Sequence, residues 1–429
     1  MRPLAALPAV VLLLAAASGW AEEKREPLPD PLSLAEALRL AGTEVPTLVR
    51  ATAKRETAEA AEISADSLEG TQVTLVGALR AVKPSYKSPD DSNNDSRVEL
   101  RVKKRLYDFG YSDALQSAAG KGVQASAQEM LDARQQKTLD IMRAFFDVLL
   151  ADLEYARDNE DMAVAYVAVD KARDRNELGQ LSDVELLKAE AEYEEVRRRR
   201  LVSEQRQRLS RSRLALAMGR PGELVSELES PRIELPAAQG GDFETFWGEV
   251  EKSDPRLRAL QIRLDAAMEN LGAARASESP VLSAELGAAV YNRNTSSTHP
   301  LGGGLLLEVP LYSGGGKDAS IMQAQSRLTE AKAELLDARL QLRQDALQAW
   351  LDRDRLRSDL QAVKVVGNYR DLYLDRSRAL YELEVRTDLG DAMSQISDVR
   401  LRRARIMFDW AMNEAKLRAM TGSLLEDKQ

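Results

Sequence analysis

Residues 100–112 read LRVKKRLYDFGYS and residues 301–317 read LGGGLLLEVPLYSGGGK. Each runs from a stretch of alternating side chains through a Leu-Tyr pair to a glycine, and then into a long charged segment with helical spacing. Leu106, Tyr107 and Gly110 return as Leu311, Tyr312 and Gly315, displaced by 205 residues each time. The same displacement relates Glu177-Leu178 to Glu382-Leu383 and Ser182-Asp183 to Thr387-Asp388. Glycine is needed where an extended strand turns sharply into a helix, and a tyrosine beside it suits a membrane boundary. The chain therefore reads as two tandem copies of one hairpinned unit.

Two strand-like stretches precede each repeated turn, 72–82 and 96–106 in the first half, 281–291 and 301–311 in the second. In the second stretch Val98, Leu100, Val102 and Leu106 take one face, while Arg97, Glu99, Arg101, Lys103 and Arg105 take the other. Leu282, Ala284, Leu286, Ala288 and Val290 form the apolar face of the third, and Leu301, Leu305, Leu307, Val309 and Leu311 that of the fourth. Period two with a charged opposite face describes a sheet wetted on one side. At 10 or 11 residues each strand is long enough to cross a bilayer when tilted. A half-buried sheet on a soluble domain would show the same alternation, and the strands by themselves leave both readings open. Export and the absence of another apolar surface for the sheet to cover favour the membrane. Four strands are too few to close a barrel, and lipid forbids open sheet edges, so several chains would have to pool their strands. The polar loops 83–95 and 292–300 suit the exposed side.

The remainder is helical and of one kind. Ser33 and Glu36, spaced as a capping box, open a helix predicted to run to about Glu69. Further helices are predicted over 113–177 and 183–218, the latter stopped by Gly219, Arg220, Pro221 and Gly222. After the Pro-rich interval 223–241 the order begins again, with helices over 242–277, 318–384 and 388–420, ended by Gly422. Met142, Phe145, Leu149, Leu153 and Ala156 mark one seam, and Leu328, Ala331, Leu335, Ala338, Leu342, Asp345, Ala349, Asp352 and Leu356 another. At 1.5 Å per residue the two long helices span roughly 95 to 100 Å and each of the four shorter ones roughly 50 to 55 Å, so two short rods stacked end to end match one long rod. The division expected is a signal peptide at 1–21, a first repeat at 22–219, an irregular linker at 220–241, a second repeat at 242–422 and a tail at 423–429.

Arg2 precedes a short apolar run, and AEEKRE follows it at once, which reads as a signal peptide cleaved after Ala21; a membrane anchor would need a longer run. Cleavage would remove only Arg2 among charged residues and move the formal charge from -9 to -10, a poor footprint for nucleic acid. No cysteine occurs, which excludes a disulfide framework, a thiolate metal site and lipidation on an N-terminal cysteine. His299 is the only histidine and falls in a polar inter-strand loop. Acids such as Glu190 and Glu194 alternate with arginines along helices, as on solvated faces, and do not form a catalytic dyad. SGGGK at 313–317 is followed by Asp318 and lacks the phosphate-loop form. No enzyme, cofactor or metal site is indicated.

Taken together, the export signal, the doubled helix-strand-strand-helix-helix unit, LYDFG and LYSGG at the strand exits and NELGQLSDVELLKA at 176–189 resemble the TolC-like outer membrane efflux proteins. The resemblance covers practically the whole mature chain. It implies a mainly α fold with a small transmembrane β part, in a homotrimer whose twelve pooled strands form one barrel in outer-membrane lipid, continued by a long periplasmic helical tunnel. It also implies docking to a periplasmic adaptor and an inner-membrane pump or exporter, as the exit duct of a tripartite efflux or type I secretion system in a Gram-negative envelope. The family's helical-tip motif falls on Asn176, Gly179, Ser182 and Glu185, and again on Tyr381, Glu384 and Thr387, where glycine is missing and Gly390 stands at the acidic position with Asp391 beside it. Asp388 and Asp391 become the candidate periplasmic gate; solvated helix-start acids are the other reading of both. The alternative function, a periplasmic coiled-coil adaptor or scaffold, would need one central hairpin flanked by small β domains, and the duplication disagrees with it.

Overall fold

The computed structural model describes residues 26–84, 88, 90–233, 241–294, 298–383 and 389–425, so the expected signal peptide lies outside the described residues. The first half runs α1 (Leu34–Arg39), α2 (Pro46–Asp66), β1 (Thr71–Ala78), β2 (Arg97–Tyr107), α3 (Tyr111–Glu177) and α4 (Asp183–Ala217). The second repeats it with α5 (Phe243–Ser253), α6 (Pro255–Ala276), β3 (Val281–Tyr291), β4 (Leu301–Glu308), α7 (Gly316–Glu382) and α8 (Leu389–Met420).

Each half's opening helix is two helices, not one. Proline occupies the first position of both α2 and α6, and it drives the preceding Val45 and Asp254 to extended backbone at ψ 133° and 123°. The lengths change accordingly: α2 has 21 residues and α6 has 22, roughly 32 Å each, against 35 in α4 and 32 in α8. End-to-end stacking holds nonetheless. Gly42 N–H donates to Met218 O at 2.8 Å, so α2 starts where α4 stops. In the second half Gly422, just past α8, lies against Ser253 O at the α5–α6 joint. The continuous rods α3 and α7 have 67 residues each, about 100 Å.

The helices form a single layer. Contacts order it α2, α3, α6, α7 beside the strands and α4, α3, α8, α7 farther away. Ala338, Leu342, Ala349 and Leu356 of the second seam are buried; Asp345 is exposed and Ala346 takes its place, one residue on. In the first seam Phe145 is buried, Met142 and Leu149 pack beside it, and Ala156 is exposed. The equatorial core gathers Leu32, Ala37, Phe145, Met218, Val225 and Phe408, with Phe146 stacked on Phe408 at 4.7 Å. The irregular segment after α4 is tied down there: Leu32 pairs with Leu228, and buried Arg220 donates to Leu40 O at 3.0 Å and Glu26 O at 2.7 Å. Both edges of the layer keep apolar side chains in the open, Leu201, Leu209 and Leu216 on α4 and Leu336, Leu340, Leu347 and Leu351 on α7.

The four strands make one antiparallel sheet in the order β1-β2-β3-β4. Strand β1 stops at Ala78 and β4 at Glu308, short of the predicted 82 and 311, so Val309 and Leu311 leave the ladder. Pro310 cannot donate to a ladder and sits just past the end of β4. Among the described residues no helix is long and apolar enough to cross a membrane.

Candidate functional site

The sheet's register sorts its side chains by face. Val73, Val102 and Leu286 are aligned across three strands, as are Leu75, Leu100, Ala288 and Leu301 across all four. The alternate rows carry Thr74, Arg101, Gly287 and Gly302, then Gln72, Lys103, Glu285 and Gly304. One face is thus apolar, and the other holds ion pairs of Arg101 with Glu99 at 2.9 Å and Lys103 with Glu285 at 3.2 Å. Among the described residues the outer edges of β1 and β4 pair with no strand. Such a sheet is incomplete: its apolar face needs lipid or protein, and its edges need strands.

At the strand exits, Gly110 and Gly315 are both the N-cap of a long helix, both left-handed at φ 88°. Leu106 lies in the register shift at the end of β2, while Leu311 and Tyr312 stand almost wholly exposed beyond β4. The sequence reading missed what fixes the first exit. Asp108, buried, accepts from Ser112 N at 3.1 Å and from Arg105 Nη1 at 2.9 Å, supplying the cap that Gly110 lacks. An acid four residues before a serine at a helix start was the legible signal. The second exit has Ser313 and Lys317 at the corresponding places.

At the far end, Gly179 takes φ 68° after α3, and Gln180 N–H returns to Arg175 O at 2.8 Å. Ser182 and Glu185 then form a reciprocal capping box at the start of α4. Burial does not reach Glu185; the hydrogen bonds from Ser182 hold its carboxyl below the usual carboxylate range. Asn176 braces this turn by donating to Leu181 O and Asp183 Oδ1, both at 3.0 Å. In the second tip Tyr381 is half exposed at the end of α7, whereas Thr387 and Asp388 lie outside the described residues. Gly390 has a packing reason: a Cβ there would come within 2.9 Å of Val164 on α3. The tip motif's acidic position is given over to close helix approach.

Asp391 is exposed in the first turn of α8. At 3.6 residues per turn it shares a stripe with Asp398, Arg405, Asp409 and Lys416. Trp410, Glu414 and Leu417, on the other side of α8, face Ile233 and the α5 side chains Thr245 and Phe246. Asp391 therefore points away from the side that carries the equatorial elements. On the stripe side, α3 meets α8 through Arg157 to Asp398 at 3.6 Å and through the Asp161–Ser394 hydrogen bond. Among the described residues no group of three or more His, Cys, Asp or Glu could hold a metal ion.

Two bare edges, one apolar face and a helical wall continuous with them define a subunit of a pooled duct, incomplete as one chain. Comparison with known proteins shows what that class is similar to. The family model described as outer membrane efflux protein matches residues 247–423. The outer membrane protein TolC of Vibrio cholerae is 23% identical over 412 residues, 92% of this chain and 91% of that protein. Among solved structures, the Campylobacter jejuni CmeC outer membrane channel superposes with a TM-score of 0.75 at 14% identity, covering 96% of this chain and 92% of that one. The open state of the Neisseria gonorrhoeae MtrE outer membrane channel gives 0.70 at 19% identity, covering 92% and 90%. By family model, by sequence and by fold, the chain matches the TolC-like outer membrane efflux proteins.

Proposed function

We propose that three copies of this chain pool their strands into a twelve-stranded outer-membrane barrel and their helices into a periplasmic tunnel. The tunnel serves as the passive exit duct of a tripartite efflux or type I secretion system. One observation carries the reading: an open four-stranded sheet, apolar on one face and ion-paired on the other, whose β1 and β4 have no second partner strand among the described residues. The charged face would line the lumen and the leucine face would meet lipid. Strands of 8 to 11 residues, tilted, suit the apolar band of an outer membrane. The exposed leucine edges of α4 and α7 would be covered by the same assembly, and the equatorial elements would lie outside so that the bore stays open.

Both helical tips end at one level, about 100 Å from the strands, and would receive a periplasmic adaptor, with Gly179, Ser182, Glu185, Tyr381 and Thr387 among the docking residues. The adaptor in turn would join an inner-membrane pump or exporter. Native mass spectrometry of detergent-purified protein from outer membranes should give a homotrimer, and planar bilayers should show a conductance. A detergent-free soluble monomer would sink the duct and the barrel together.

A further inference from the structure

On the face of the helical layer turned away from α5, charge alternates from one helix to the next. Contacts fix which face this is: α7 reaches α5 through Arg339 to Glu251 and Arg343 to Glu244, while Glu334 and Asp337 project from its other side. There they line a cavity of about 630 Å³ that spans all four helices beside the strands. In it α2 presents Arg50 and Lys54, α3 presents Glu129 and Asp132, α6 presents Arg256, and α7 presents Glu334 and Asp337. Neighbouring rows meet as ion pairs, for Lys54 Nζ lies 3.7 Å from Glu129, and Glu129 also binds Arg263 of α6.

The order recurs in the tier nearer the tips. A second cavity, about 550 Å³, has Arg206 and Arg213 on α4, Asp147 and Glu154 on α3, and Arg405 on α8. A third, about 320 Å³, sets Lys416 of α8 beside Asp345 and Asp352 of α7. Arg206 pairs with Glu154 at 2.6 Å. The long rods α3 and α7 thus carry the acids, and the shorter rods between them carry the cations. Where a cation does fall in an acidic row, acids of its own helix hold it: Arg143 with Asp140 at 3.7 Å, and Arg355 with Asp352 and Asp359 at 3.0 Å each. Asp409 is the acid in the α8 row, half-buried, with Arg405 and Lys416 drawing on its charge. Only toward the tip does α8 turn acidic, at Asp398 and Asp391.

Each tier of each chain contributes an even number of rods, so in a ring of copies the acidic row of α7 stands next to the cationic rows of α2 and α4 of the following copy. The alternation therefore closes without a break. Opposite rows one helix apart, about 8–10 Å, cancel at distances well beyond that spacing. Salt shortens the reach of any remainder to ~8 Å. Twelve rods so spaced enclose a bore whose axis lies roughly 15–20 Å from the helix axes, out of range of the wall's charges. We infer that the equatorial shaft of the duct does not select cargo by the sign of its charge, so that anionic, cationic and zwitterionic molecules pass it alike and charge selection is confined to the tips. The inference rests on the duct reading above.

Planar bilayers under a potassium chloride gradient read the shaft once the tip acids are neutral. Trimers carrying Asp388→Asn and Asp391→Asn should pass potassium and chloride with a permeability ratio near one. Adding Arg50→Gln, Lys54→Gln and Arg256→Gln to that variant should raise the potassium to chloride ratio severalfold, and adding Glu334→Gln and Asp337→Gln instead should lower it. A double Asn variant that still prefers potassium strongly overturns the inference. So does a ratio that neither set moves, because the rows would then not line the bore. Folded trimer with no conductance at all would sink the duct reading itself. A local measurement uses the absence of cysteine from the chain: Gln136→Cys places one thiol on α3, in the first cavity, between the cationic rows of α2 and α6. Its rates of reaction with a trimethylammonium and a sulfonate methanethiosulfonate, each relative to a free thiol, should keep their ratio within about twofold between low and high salt. A ratio that changes about tenfold or more on adding salt would reveal an unbalanced wall and overturn the inference while leaving the duct standing.

Discussion

Asp254 and Val45 stand at corresponding joints, each just before a proline that begins a helix, yet only Asp254 caps its helix, accepting from Leu257 N at 2.9 Å. Since the first joint forms around valine, a charge at the second is not a requirement of the architecture. Asp254 is 6% exposed, and burial, reinforced by Asp132 on α3, pushes its pKa up to about 6. Burial raises Asp132 as well. A carboxyl with a raised folded pKa contributes stability that is fully present below its unfolded value near 4 and lost as pH rises through about 6. The shift corresponds to at most about 3 kcal/mol. Asp254→Asn keeps a capping oxygen and removes the charge. Thermal melts should therefore find D254N more stable than wild type at pH 7.5, with the advantage gone by pH 4. An equal difference at both values would mean that the carboxyl does not titrate in this window.

Among the elements, the strands were the most legible, because alternation needs only the residues themselves. Length and register were less so: β4 ends three residues early where Pro310 interrupts the ladder, and Leu106 falls in a register shift that alternation could not foresee. The structure also changes how the faces should be tested. Arg101 is paired with Glu99, so replacing it by glutamate would set two like charges together; Arg101→Gln is the cleaner lumen substitution. Leu100→Arg places a cation on the lipid face at a cost on the order of 2 to 4 kcal/mol near the bilayer midplane. Trimer recovered from outer-membrane fractions should fall for L100R and hold for R101Q. Equal recovery would mean that the faces are reversed or that the sheet is not in lipid.

For the whole molecule, the equal lengths of α3 and α7 bring the two tips to one level, and the gate proposal belongs at this scale because it depends on symmetry. In a trimer Asp388 and Asp391 would each occur three times about the axis, and their repulsion would be relieved by bound cations. Asp391 points away from the equatorial elements, the direction a lumen-facing acid requires. Replacing both acids by asparagine should weaken divalent-cation block of the conductance without reducing trimer yield. Added salt should narrow the difference, since exposed charges are screened over ~8 Å at physiological ionic strength. Unchanged block would assign the pair to the outer, solvated surface.

What the sequence determined by itself was whatever repeats or alternates. The 205-residue displacement, the period-two strands and the helical seams are local patterns, and each survives being read one residue at a time. Tertiary structure decided the rest, because it depends on neighbours far along the chain. Gly390 is explained by Val164, the Asp254 carboxyl by Asp132, and the joint at Gly42 by the end of α4. Even the opening helices needed it in part: Pro46 and Pro255 announce the breaks in sequence, but only stacking against Met218 and Gly422 shows that broken rods still make up the length of unbroken ones. The physical reason is that periodicity comes from backbone geometry shared by every helix and strand, whereas a close approach or a buried charge is set by whichever side chain the fold brings opposite.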